Sequence, residues 1–176
     1  MHSASFFRLK QLLRRAAAGE ELTVGFLGGS ITQGSLSSTP ETCYAFRVYR
    51  WFVRTFPQAS FHYVNAGIGG TSSHYGVARA VTDVLMYQPD FVVVDFSVND
   101  LKVPFRQETY EGVVRKLLAW PSHPAVVLLN NIYYDTGLTA EDADKALQNI
   151  LSEERMAVMY IQPDGTASDE EEEEEE

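Results

Sequence analysis

Val24-Gly25-Phe26-Leu27-Gly28-Gly29-Ser30-Ile31-Thr32-Gln33-Gly34 opens as an apolar run and closes as glycines set around one serine. With Leu22 just upstream and no charge between, the first half has the composition of a strand buried on both faces. Gly28-Gly29 marks where that strand must stop, because the backbone there is free to turn. Ser30 then falls at the carboxyl end of the strand, the edge of an α/β sheet where ligands bind. A serine in this place admits three readings. It is a nucleophile on a tight turn, its own N–H facing an oxyanion; or part of a phosphate cradle; or a solvated serine in a strand-ending turn. Gly29 and Gly34 have the glycine spacing of a P-loop, but Ser35 stands where that motif requires lysine.

Outward from this stretch, apolar runs alternate with helical periodicity. Phe6–Ala18 is predicted as an amphipathic helix, with Phe6, Leu9, Leu12 and Leu13 on one face. A helix capped by Thr42 runs to about Phe56 and is closed by Pro57. Strands are predicted at Phe61–Asn65, Phe91–Phe96 and Ala125–Leu129. Helices are predicted at His74–Tyr87, with Val77, Val81, Val84 and Leu85 inward, and at Gln107–Trp120. A last helix, Ala140–Glu154, precedes a short strand over 157–161. This alternation predicts a parallel sheet of about five strands with helices on both faces. Residues 1–168 read as one α/β domain, and residues 169–176 as an acidic tail.

The bulk composition agrees. The 176 residues are 45% hydrophobic, enough for one sizeable core. Cys43 is the single cysteine, which excludes an internal disulfide, and its apolar surroundings read as those of a packed thiol. Eight of the 24 acidic residues lie in the tail, so the body sets 16 acidic against 14 basic residues and is nearly neutral. It has no basic stripe, so nucleic acid is not an expected partner. No apolar run has spanning length, and Phe6-Phe7 is followed at once by Arg8 and Lys10 rather than by a signal peptide's apolar centre. The expectation is a cytoplasmic protein without a membrane partner.

Three segments each follow a strand: Gly28-Gly29-Ser30, Gly67-Ile68-Gly69-Gly70 and Val98-Asn99-Asp100. A parallel sheet gathers all three at one edge. There they would supply a hydroxyl, backbone N–H groups and a side-chain amide, which are the parts of an acyl-transfer site. Each alone has a plainer explanation: a close helix approach at Gly67–Gly70, an Asx turn at Asn99-Asp100.

With these residues in view, the sequence resembles the SGNH (GDSL-type) esterases and acylhydrolases. Phe26–Gly34 is similar to the family's first block, Asn65-Ala-Gly-Ile-Gly-Gly-Thr71 to its second and Ser97-Val-Asn-Asp100 to its third. The first block is close to that of bacterial members tied to carbohydrate deacylation. The resemblance implies a flavodoxin-like three-layer α/β/α sandwich and no cofactor. It implies Ser30 as nucleophile, with Gly70 N–H and the Asn99 amide in the oxyanion hole. It also implies a small acyl ester or acylated carbohydrate as substrate.

One block departs. The family's last motif is Asp-x-x-His, whose histidine is the general base, but Asp164-Gly165-Thr166-Ala167 has alanine there. His123 precedes a strand and belongs at the opposite edge. His62 lies within a strand and reads as structural. His74 is on the correct edge and reads as a capping or surface imidazole. The accounts left open are an esterase whose base lies outside these blocks, an SGNH-like domain that binds acylated sugars without cleaving them, and, more distantly, a phosphate-binding domain.

Overall fold

The structure, a computed structural model, describes residues 6–100, 104–131, 160–161 and 167–168. Helix α1 (Phe7–Ala17) leads into strand β1 (Glu21–Gly28), the one-turn helix α2 (Ser30–Gln33) and α3 (Tyr44–Thr55). Then come β2 (Ser60–Gly67), α4 (Ser73–Asp83), β3 (Phe91–Asp95), α5 (Pro104–Leu118) and β4 (Ala125–Leu128). The last elements, β5 (Tyr160–Ile161) and β6 (Ala167–Ser168), form a separate antiparallel pair.

The main sheet has the order β2-β1-β3-β4 and is parallel throughout. The chain steps from β1 outward to β2, then back across β1 to β3 and β4. Right-handed crossovers in opposite directions place their helices on opposite faces. Accordingly α3, joined by α1, covers one face, where Leu12, Ala16, Ala45 and Phe52 meet Val24, Phe26, Phe91 and Val93. On the other face α4 and α5 set Ala80, Val113 and Leu117 against Leu27, Val92 and Val94. Alternation along β1 and β3 sends successive side chains to the two cores. All five residues of β3 are buried, as its β-branched run predicts. The expected three-layer α/β/α fold is present.

Several local expectations change. The 157–161 segment does not extend the parallel sheet in the residues described: Tyr160 and Ile161 pair instead with Ser168 and Ala167. The main sheet therefore has four described strands, not five. Thr42 does not cap α3. It closes a short 3-10 turn, Pro40–Thr42, by exchanging hydrogen bonds with Thr39, which moves the helix start on by one residue. The cap is Cys43, a buried thiol that accepts from Phe46 N–H at 3.5 Å. The helix predicted to reach Tyr87 breaks at Val84 into a separate turn over Leu85–Tyr87. Val81 is exposed, and α4 buries Ser73, Gly76, Arg79 and Ala80 instead. The helix over 140–154 lies outside the described residues.

Gly76 shows how tightly α4 sits. A Cβ there would fall 2.5 Å from the Phe96 ring, which is 1% exposed. Gly76→Ala gains up to about 1 kcal/mol of helix propensity. Overpacking against a buried ring costs roughly 1–3 kcal/mol. The expected outcome is net destabilisation, read as a lower urea midpoint at unchanged slope; a raised midpoint would show that the ring yields freely.

Candidate active site

The strand order reverses between β1 and β3, and that switch point is where an open α/β sheet leaves a crevice. The crevice here is lined by Gly29, Ser30, Ile31, Asp95, Phe96, Val98 and Asn99. A larger open depression of about 680 Å³ runs along α3 between Arg47, Arg50, Trp51 and Arg54. It lies away from the sheet edge and holds no serine, cysteine or histidine among its lining residues.

Ser30 is the first residue of α2 and is half-buried. First-turn N–H groups have no acceptor within the helix, so its N–H is available to a ligand. The turn is tied to β3 by Gly29 N–H donating to Asp95 O at 3.1 Å, and to the β2 loop by Ile68 N–H donating to Gly28 O at 3.1 Å. The glycine loop is tied to α2 twice more. Gly69 N–H donates to Gln33 Oε1 at 2.8 Å, and Asn65 Nδ2 donates to Thr32 O at 2.8 Å. Gly67 permits this approach, because a Cβ there would fall 2.1 Å from Gln33 N. Gly70 is a different case. Its neighbourhood has room for a side chain, but its φ of +72° favours glycine.

Asn99 lies between these two loops. Its Nδ2 donates to Thr71 O at 2.6 Å, and a Cβ on Gly29 would fall 2.4 Å from the same nitrogen. An amide nitrogen carries two hydrogens, so one remains for a ligand. Asp100 anchors the segment by accepting Ser73 N–H at 2.9 Å at the start of α4. Ser30, the Gly67–Gly70 loop and Asn99 thus share one sheet edge.

None of the described histidines lines the crevice. His62 is exposed on β2 and paired with Glu21, and His123 lies before β4 at the opposite edge. His74 is exposed, and its Nδ1 faces Ser72 Oγ at 2.7 Å and the Arg106 guanidinium. His2 and the Asp164–Thr166 part of the fourth block lie outside the described residues. No group of three His, Cys, Asp or Glu residues that could hold a metal ion occurs among the described residues.

Sequence reasoning passed over Asp95, the last residue of β3. It is 3% exposed and lines the crevice. Thr32 Oγ1 donates to its Oδ2 at 3.2 Å and Asn131 Nδ2 to its Oδ1 at 3.0 Å. Because the Thr32 hydroxyl has one hydrogen, Tyr44 OH must donate to Thr32, 2.8 Å away. Burial pushes the Asp95 carboxyl up to about 6, and the bonds from Asn131 and Thr32 only partly oppose that. The available signal was a lone acid ending an otherwise apolar strand.

The chain belongs to the GDSL-like lipase/acylhydrolase family, whose pattern it matches over residues 26–168. It is 31% identical over 113 residues to thioesterase 1/protease 1/lysophospholipase L1 of Escherichia coli (strain K12), a match that covers 64% of this chain and 50% of that protein. The chain spans about half the length of the curated relatives it matches. A crystal structure of a two-domain esterase active on acetylated mannans superposes with a TM-score of 0.81, at 51% identity over 87% of this chain and 40% of that one. An acetyl xylan esterase variant from Geobacillus stearothermophilus superposes at 0.58 with 21% identity, over 80% and 77% of the two chains, and shares the fold. No described helix is long and apolar enough to cross a membrane.

Asp95 makes stability depend on pH. Its carboxyl titrates near 4 in the unfolded chain and near 6 in the folded one. Between those values the folded state binds more protons, so this group's contribution to stability falls as pH rises from 4 to 6. Asp95→Asn removes the titration. Relative to the parent, its unfolding free energy should rise by on the order of 2–3 kcal/mol between pH 4 and pH 7. Denaturant titrations of both proteins at the two pH values check this, and a difference that does not vary with pH would contradict it.

Proposed function

We propose that this domain is the serine-bearing part of an esterase that removes small, acetyl-like acyl groups, including those on carbohydrates. The observation that carries the reading is that Ser30 and Asn99 line the switch-point crevice while the Gly67–Gly70 loop packs beside Ser30. The 51% identity to an esterase active on acetylated mannans supports the substrate class.

In this reading Ser30 Oγ attacks the ester carbonyl and gives up its proton to a base. The carbonyl oxygen becomes an oxyanion held by the Ser30 and Gly70 N–H groups and by the second hydrogen of Asn99 Nδ2. Collapse of the tetrahedral intermediate expels the alcohol, which takes a proton, and leaves an acyl-Ser30 ester. Water then attacks that ester through a second oxyanion and releases the acid. The base is the one part that no described imidazole supplies: His62 and His123 are remote, and His74 Nδ1 is engaged by Ser72 and Arg106. We assign the base to a residue beyond these 176 or to another chain. Residues 1–168 then form one hydrolase domain without its usual fourth block, and 169–176 a solvated acidic tail.

An SGNH-like domain that binds acylated sugar without cleaving it is the alternative, favoured by the same missing imidazole. Both readings are separated by turnover of acetylated mannooligosaccharide and p-nitrophenyl acetate. The 176-residue chain should hydrolyse slowly, since loss of a triad member still leaves roughly 10³–10⁴-fold over water. In a form with full turnover, Ser30→Ala should bring the rate down to that same residual level. In a form with full turnover, Asn99→Ala should lower kcat by roughly 10²–10³-fold with little change in KM. Equal rates for the parent and Ser30→Ala in that form, with measurable sugar binding, would favour the binding domain.

A further inference from the structure

Arg79 lies in α4 with 6% of its surface exposed, beside the fully buried Ala80. The chemistry proposed for Ser30 gives this charge no part. A guanidinium in a protein core is retained only where its donors are satisfied, because burial of an unpaired charge is costly. Nη1 donates to Ala66 O at 2.7 Å and to Asp83 Oδ2 at 2.9 Å, and Nη2 donates to Gly28 O at 3.0 Å. Nε is buried with no hydrogen-bond partner among the described residues. The Tyr75 ring lies 5.6 Å from the guanidinium carbon.

The two carbonyl acceptors carry the argument. Gly28 is the last residue of β1, and Ala66 is the next to last of β2. The register pairs Gly28 with Gly67, and past that point the ladder continues through Ile68 N–H to Gly28 O. The Arg79 fork therefore bridges the two strands where they part. Gly28 is followed by the Ser30 turn, and Ala66 by the Gly67–Gly70 loop. Gln33 and Asn65 tie these segments together through α2. Arg79 ties them from α4, on the other side.

We infer that Arg79 is a positioning residue. Its planar fork sets the spacing between the Ser30 turn and the Gly67–Gly70 loop, and Asp83 holds the fork in orientation. That spacing sets the separation of the Ser30 and Gly70 N–H groups. The inference rests on the esterase reading for what those N–H groups bind, but not for the geometry. Lysine cannot replace the fork, because an ammonium is a point charge that cannot span two divergent carbonyls in one plane.

The test compares Arg79→Lys, Arg79→Met and Asp83→Asn in the 176-residue chain by amide hydrogen exchange and ¹⁵N spectra. Exchange at Ile68 and Gly69 should rise by about tenfold or more in Arg79→Met and by less in the other two, as for a local opening. Val92, Val94 and Val126 in the sheet should keep their parent protection within about twofold, since opening is confined to the loop. Unchanged exchange at Ile68 and Gly69 would overturn the inference. So would an equal rise at the sheet valines, which would make Arg79 a general structural residue. If Arg79→Met does not fold, Arg79→Lys and Asp83→Asn decide by the same comparison. In a form with ester turnover, Arg79→Lys should lower kcat by roughly 10–100-fold with KM within about twofold, because misplaced donors are felt in the transition state. If the parent and Ser30→Ala hydrolyse esters alike in that form, the esterase reading fails, while the exchange data still decide the role of Arg79.

Discussion

The whole edge depends on how closely α2 lies against the end of β2. The backbone of Thr32 and Gln33 occupies the space where any side chain at position 67 would go, 2.1–2.6 Å from an ideal Cβ. That contact fixes the height of the serine turn above the sheet. It also brings Gln33 within reach of Gly69 N–H and Thr32 O within reach of Asn65. A β2 loop held farther off would lose both bonds and with them the shared face of Ser30 and Gly70. The glycine at 67 is therefore a packing requirement, whereas the glycine at 70 answers to its backbone angle.

The polar groups beneath the edge are arranged around the same contact. Asp95 reaches up from β3 to Thr32, while Arg79 reaches in from α4 to Gly28 and Ala66. Neither group suits a core on stability grounds. The Asp95 carboxyl is held near 6 by burial, and Arg79 keeps one donor unpartnered, a feature that costs roughly 1–3 kcal/mol. Apolar residues would fill these sites at lower cost but could not bind backbone carbonyls or a threonine hydroxyl. What the charges supply is direction: each fixes the end of a strand relative to the turn that follows it.

What the sequence determined alone is what local pattern can encode. The apolar run of β1, the β-branched run of β3 and the 3.6-residue stripes of α1 and α3 all mark their elements to within a few residues, because each pattern is read within one stretch of chain. The Gly28–Ser30, Gly67–Gly70 and Val98–Asp100 segments were legible as strand-end loops for the same reason, since each comes after a strand in the chain. The tertiary structure alone decided the rest. Asp95 looked like the end of a strand until Thr32, 63 residues away, and Asn131, 36 residues away, closed around it. The helical pattern gave Arg79 no part, because its acceptors lie 13 and 51 residues back. The pairing of Tyr160 with Ser168, and Cys43 rather than Thr42 as a cap, likewise followed from which partner came within hydrogen-bond reach. Hydrophobic periodicity records which face of an element is buried. It does not record which distant carbonyl a buried charge will meet.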